Sequence, residues 1–176
     1  MYSYCKERAF TLFELMITII IFAIIAAIAI PYFHKIKENQ ELSNIFPLIQ
    51  QHVNIAKHAA VIYHNDTIIC GSSSLDSCEN NQWNKGLIVF LDINKNKKLD
   101  LNEKILAKTK NDFKYGNLKW NGNVSNLQTV TFKGDSGMPR GSQGAFYYCS
   151  YNVSENHRYI PISHMGQVRS EVIKSC

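Results

Sequence analysis

The chain has 176 residues, of which 45% are hydrophobic and 19% are charged, and its formal net charge is +5. This length accommodates one domain and a long anchor segment, and the weak, dispersed positive charge does not by itself indicate nucleic-acid binding. The sequence has no nucleophile motif, phosphate-binding loop or paired-carboxylate motif, so we do not expect an enzyme.

A long apolar segment, residues 10–33, follows a short stretch that contains Lys6 and Arg8. The 19 consecutive residues from Leu15 to Phe33 carry no formal charge, and a membrane-spanning helix needs about 20 apolar residues. The basic residues before the segment place the N-terminus in the cytoplasm. A secretory signal peptide would have a shorter apolar core and small residues at its far end. The segment is therefore predicted to be a transmembrane helix.

Glu14 lies inside this apolar segment, where an unpaired carboxylate costs about 2.5 kcal/mol or more. We therefore expect a positively charged partner. Cleavage of the peptide bond after Ala9 would give Phe10 a new α-amino group, which could neutralise Glu14 in the same chain or in a neighbouring one. An ordinary membrane anchor is the alternative interpretation of the segment.

The stretch Lys6-Glu7-Arg8-Ala9-Phe10-Thr11-Leu12-Phe13-Glu14 resembles the class III leader and cleavage site of type IV pilins and type II secretion pseudopilins. The resemblance implies that prepilin peptidase removes residues 1–9, that the new N-terminus is methylated, and that Glu14 governs assembly with other pilins or pseudopilins through the N-terminal helix. It also implies a single-pass protein of the bacterial inner membrane, with its C-terminal part in the periplasm before it enters a pilus or pseudopilus.

Residues 34–65 are predicted to form an amphipathic helix that continues the apolar segment. Apolar residues recur there at intervals of three and four: they are Ile36, Leu42, Ile45, Phe46, Ile49, Val53, Ala56 and Ala60. Pro31 and Pro47 are expected to kink or loosen the helix, because proline lacks a backbone donor and clashes with the preceding turn.

Residues 66–176 are predicted to form a β-rich head. The proposed strands are rich in β-branched and aromatic residues and cover residues 67–70, 86–91, 104–107, 128–132, 144–149, 159–163 and 166–170. The last two form a predicted hairpin around Met165-Gly166, and Pro161 favours an edge position. The fold class is thus α+β and type IV pilin-like: a long N-terminal helix, with a transmembrane half and an amphipathic half, packs on an antiparallel β-sheet head.

Four motifs in the head resemble the GspH/FimT branch of minor pilins and pseudopilins. They are Trp83 to Asp92, Gly137-Met138-Pro139-Arg140-Gly141, Phe146-Tyr147-Tyr148-Cys149, and Ile162 to Arg169. The resemblance implies a helical spine with a head of two β-sheets. It also implies a structural subunit of a type IV pilus or a type II secretion pseudopilus.

A pilus-associated receptor for double-stranded DNA, acting in natural transformation, is the alternative function. DNA-receptor members of the FimT group have Gly-Arg-x-Arg where this chain has Gly166-Gln167-Val168-Arg169, so one phosphate contact is lost. The candidate DNA-binding residues that remain are Arg140, Arg158, Arg169 and Lys174.

The segment 92–103 fits the register of an EF-hand calcium loop. Its candidate ligands are Asp92, Asn94, Asn96, Asp100 and Glu103. Lys97 occupies the position where the sharp turn needs glycine, and three lysines would repel the cation. A hairpin turn between two strands is therefore the favoured interpretation, and no cofactor is expected.

The four cysteines outside the leader are candidates for disulfides: they are Cys70, Cys78, Cys149 and Cys176. An oxidising compartment favours disulfides, and four cysteines permit three pairings. We favour Cys70 with Cys78 and Cys149 with Cys176. The rival is a tetrathiolate zinc site, which the absence of any paired C-x-x-C motif disfavours.

Overall fold

The computed structural model describes residues 10–122, 128–152 and 157–176. The chain divides into two compact units, one up to Asn39 and the other Gln40–Cys176. The leader prediction, including Ala9 at the cleavage position, lies outside the described residues.

One α-helix, α1, extends over Leu12–Tyr63 without interruption at either proline. It therefore joins the two predicted helical segments. His64 ends the helix with a φ of 50°, the left-handed conformation that commonly follows a helix C-terminus. The side-chain amide of Asn65 donates a hydrogen bond to the carbonyl oxygen of Tyr63 at 3.1 Å and so satisfies a carbonyl group that the helix leaves unpaired.

The two parts of α1 differ in exposure. In the N-terminal unit, every side chain from Phe10 to Lys37 is exposed, although most of them are apolar. In the C-terminal unit, one stripe of α1 is buried against the head, as the amphipathic pattern predicts. The buried residues of that stripe are Leu42, Ile45, Ile49, His52, Val53, Ala56, Ala59 and Ala60.

The head contains two antiparallel four-stranded sheets. The first has the order β3-β2-β1-β5, with β1 Asp66–Gly71, β2 Gly86–Asp92, β3 Ile105–Lys110 and β5 Thr129–Phe132. The second has the order β4-β6-β7-β8, with β4 Gly116–Gly122, β6 Gly144–Ser150, β7 His157–Ile162 and β8 Glu171–Ile173. This architecture confirms the predicted fold class.

The main core joins α1 to both sheets. Trp83 packs edge-to-face on Phe146, with 5.0 Å between ring centroids, and Trp120 lies 4.6 Å from the same ring. A second cluster on the other face of the first sheet contains Ile68 and Phe90. All residues of β1 and β2 are consequently buried, which explains why these strands are continuous apolar runs.

Both favoured disulfides are present. Cys70 bonds to Cys78, eight residues along the chain, and Cys149 bonds to Cys176. Cys70 is buried in the second core cluster, against which Cys78 packs. The first disulfide thus fixes the segment after β1 over the outer face of the first sheet.

Two strand predictions need correction. β4 is absent from the predicted strands, although its residues alternate between buried Leu118 and Trp120 and exposed Lys119 and Asn121. The predicted strand at residues 166–170 is wrong. A turn around Met165-Gly166 does form, but pairing beyond it is limited to one bridge between Ile162 and Val168. The final strand is β8, whose pairing with β7 stops at Tyr159.

Candidate assembly site at the helix N-terminus

The first turn of α1 is closed by a reciprocal set of hydrogen bonds between Thr11 and Glu14. The Thr11 backbone N–H and hydroxyl donate to Glu14 Oε2 at 3.0 and 3.1 Å, and the Glu14 backbone N–H donates to Thr11 Oγ1 at 3.2 Å. This is a capping box, in which each residue satisfies a donor that the helix terminus leaves free. The pattern T-x-x-E could have predicted it from the sequence.

The capping box places the negative charge of Glu14 where the helix dipole favours it. Glu14 Oε2 accepts both bonds from Thr11, whereas Oε1 accepts none from the described residues. One oxygen therefore stays available to a cation. Phe10, the predicted first residue after cleavage, is 81% exposed.

The surface around Glu14 is suited to an apolar environment. Within the described residues, α1 is long and apolar enough to cross a membrane. The hydroxyl of Thr18 donates to the carbonyl oxygen of Leu15 at 2.8 Å, so the helix itself satisfies this polar group. The N-terminal unit thus presents an apolar helix with a carboxylate near its start.

The segment 92–103, which is the candidate calcium loop, forms most of the connection between β2 and β3, and two of its carboxylates accept backbone hydrogen bonds. Asp92 is buried, and its two oxygens accept the backbone N–H groups of Asn96 and Lys97, each at 3.0 Å. Glu103 accepts the N–H groups of Ile93 and Asp100 at 2.9 and 3.1 Å.

The other candidate ligands complete this hydrogen-bond network. The amides of Asn94 and Asn96 both donate to Asp100 Oδ2 at 2.7 Å, which lowers the pKa of Asp100. Among the described residues, no group of three or more His, Cys, Asp or Glu side chains could hold a metal ion. The loop connects two neighbouring antiparallel strands, as the hairpin interpretation expects, and calcium binding stays untested.

The four candidate DNA-binding residues have different surroundings. Arg140 is paired with Asp135 at 3.0 Å, and Arg158 on β7 has its Nη1 atom buried. Arg169 and Lys174 are exposed, with exposed Glu171 between them in the sequence. DNA binding stays a prediction.

The turn from Ser163 to Gly166, where the Gly166–Arg169 motif begins, lies against α1. Gly166 has a φ of 70°, and a Cβ at this position would lie 3.2 Å from the Phe132 ring. Lys57 on α1 donates a hydrogen bond to the carbonyl oxygen of Met165 at 2.9 Å. The glycine is therefore required by backbone conformation and close packing.

Two family models match the sequence. A model described as "Prokaryotic N-terminal methylation motif" matches residues 4–30, and one described as "Type II transport protein GspH" matches residues 48–166. The second match covers more than half of the chain. The chain belongs to the GspH family. The resemblance to the GspH/FimT branch is thus confirmed, and the chain belongs to a family of minor pilins and pseudopilins.

Solved structures show the same fold as this GspH-family chain. The type IV minor pilin FimU of Pseudomonas aeruginosa is 18% identical in one crystal form, with a TM-score of 0.59 over 80% of this chain and 98% of that chain. The minor pseudopilin EpsH from the Type 2 Secretion System of Vibrio cholerae is 10% identical, with a TM-score of 0.50 over 75% and 97%. Among curated proteins, none matches in sequence.

The match to the N-terminal methylation motif and the apolar N-terminal helix fit a membrane-anchored pilin. The family and the two structural relatives are pilin or pseudopilin subunits rather than enzymes.

Proposed function

We propose that the chain is a non-catalytic filament subunit whose assembly depends on Glu14. Prepilin peptidase cleaves after Ala9, and the mature chain, beginning at Phe10, is held by residues 10–33 in the inner membrane with its head in the periplasm. The subunit then enters a type IV pilus or a type II secretion pseudopilus by packing this helix against those of other subunits.

The observation that carries this proposal is the exposed carboxylate at the start of an apolar helix. Thr11 engages one oxygen of Glu14 and leaves Oε1 without a partner among the described residues. An α-amino group at Phe10, in the same chain or in a neighbouring subunit, supplies the missing positive charge. A buried ion pair selects one arrangement of the helices, because every other register leaves a charge unpaired in an apolar environment.

The test compares Glu14→Gln and Glu14→Ala with the wild-type chain in its own host. Both variants are expected to reach the membrane at normal levels but to fall several-fold in the sheared filament fraction and in co-purification with other pilins. Asp112→Asn is the control, since it removes an exposed carboxylate from the head.

Two results would contradict the proposal. One is normal incorporation of both Glu14 variants. The other is a mature N-terminus, measured by intact mass, at any residue other than Phe10.

A further inference from the structure

The face of the second sheet that lies opposite the main core contains a slot of about 270 Å³. Its lining includes Ala145 on β6 and Pro161 on β7, which are directly paired across the two strands.

One wall of the slot is an aromatic pair. Tyr147 and Tyr159 are cross-strand neighbours, and their ring centroids lie 5.1 Å apart at 52°. Both side chains are half-buried, and each joins an apolar ring to a polar hydroxyl group.

Polar groups border the rest of the slot. Asn121 on β4 is exposed and is the register partner of Ala145. Near the end of β7, the Gln143 amide donates to Nδ1 of His164 at 2.7 Å. In the neutral ring the proton is then on Nε2 of His164, so this residue offers a donor while Gln143 Oε1 offers an acceptor.

The slot has no formal charge to attract an ion. Its nine lining residues, all of them described, include no Lys, Arg, Asp or Glu. Charged residues flank the tyrosine pair on the neighbouring strands: Lys119 pairs with Tyr147, and Glu171 pairs with Tyr159. Their charges are opposite in sign, so they give the row no net charge. A phosphate or a metal ion therefore finds no compensating charge here.

We propose that this slot binds a neutral pyranose ring of a glycan. A pyranose has one face of C–H groups, which suits the Tyr147 and Tyr159 rings, and a rim of hydroxyls that both donate and accept hydrogen bonds. Asn121, Gln143 and His164 supply both kinds of partner. This inference stands independently of the assembly role of Glu14, since the slot lies wholly within the head.

Binding is measured by saturation-transfer difference NMR on the full-length protein in a detergent without a sugar headgroup, because maltoside detergents would compete for the slot. The probes are the methyl glycosides of glucose, galactose and N-acetylglucosamine. At least one is expected to receive saturation at its ring C–H protons and to titrate with a dissociation constant on the order of millimolar, as befits a single small ring.

Two variants locate the signal. Tyr159→Ala removes half of the aromatic wall, and Asn121→Ala removes an exposed hydrogen-bonding group with little effect on folding; each is expected to weaken binding by fivefold or more. The matched control is Tyr151→Ala, because Tyr151 is 65% exposed and does not line the slot.

Three outcomes overturn the inference. The first is no saturation transfer to any glycoside at tens of millimolar. The second is a transfer that Asn121→Ala leaves unchanged. The third is binding of an oligothymidylate, but of no glycoside, at the same tyrosines, which would make the slot a stacking site for nucleic-acid bases.

Discussion

The hydroxyl of Tyr148 on β6 donates a hydrogen bond to Oε1 of Glu41 on α1 at 2.6 Å. The same carboxylate accepts the backbone N–H groups of Tyr115 at 3.0 Å and Lys114 at 2.9 Å. One side chain of α1 therefore connects the helix to the segment before β4 and to the middle of the second sheet.

Replacement of Glu41 by Ala is expected to destabilise the head by about 1–3 kcal/mol, because three donors lose their acceptor. Tyr148→Phe removes one of the three bonds and should cost about 1 kcal/mol. Thermal unfolding followed by near-ultraviolet circular dichroism measures both effects. Equal melting temperatures for Glu41→Ala and the wild type would show that the three bonds contribute nothing.

The Thr11 hydroxyl is expected to help position Glu14 for assembly. Thr11→Val removes the hydroxyl but keeps the shape, and loss of this cap should destabilise the first turn of α1 by about 0.5–2 kcal/mol. We expect faster amide exchange in that turn and a partial loss of filament incorporation, whereas Thr11→Ser should behave as the wild type. Normal incorporation of Thr11→Val would show that Glu14 needs no such support.

His52 is expected to make the head less stable in mild acid. It is buried, with Nδ1 2.8 Å from the Leu48 carbonyl oxygen and Nε2 3.0 Å from Thr109 Oγ1. Burial lowers its pKa, and the hydrogen bond to Leu48 opposes this effect only in part. The Leu48 carbonyl can only accept, so Nδ1 carries the proton of the neutral ring. Nε2 then accepts a hydrogen bond from the Thr109 hydroxyl.

The direction of this pH dependence follows from the difference in proton binding between the folded and unfolded chains. Below the pKa of an unfolded histidine, about 6.5, the unfolded chain takes up a proton that the folded chain resists, so stability falls as the pH falls. The melting temperature should therefore decrease between about pH 7.5 and about pH 5.5. His52→Leu should reduce this dependence, whereas His58→Leu, at an exposed position of α1, should preserve it.

The β2–β3 loop is expected to be stable without calcium. Asp92→Ala removes the acceptor of two backbone N–H groups at a buried position and should cost about 1–3 kcal/mol. We expect the fall in melting temperature caused by Asp92→Ala to be the same with Ca²⁺ and with a chelator, because the carboxylates of Asp92 and Glu103 already accept backbone hydrogen bonds. A Ca²⁺-dependent rise in melting temperature that Asp92→Ala abolishes would instead establish a metal site.

The sequence was sufficient for elements whose burial is uniform or periodic. The apolar runs of β1 and β2 and the stripe on α1 were predicted because hydrophobic spacing reports burial directly. It was insufficient for β4, where Gly116, Asn117, Asn121 and Gly122 have low strand propensity. Pairing with β6 along all seven residues determines that strand, and such pairing is a tertiary effect.

The candidate sites also differ in whether local sequence or tertiary pairing determines them. The capping box is local and could be predicted from Thr11 and Glu14 alone. The glycan slot depends on β4, β6 and β7 being neighbours, so Asn121 and Tyr159 become one site only through the sheet order. No local sequence pattern contains that information.

The disulfide between Cys70 and Cys78 has a practical consequence for recombinant production. The segment it fastens shields Ile68, Ile88 and Phe90 on the outer side of the first sheet. In a reducing cytosol this disulfide would not form, and newly made chains would expose an aggregation-prone apolar strand surface to one another. Export to an oxidising compartment, or refolding with a redox couple, should therefore give soluble protein, whereas expression in a reducing cytosol should give inclusion bodies.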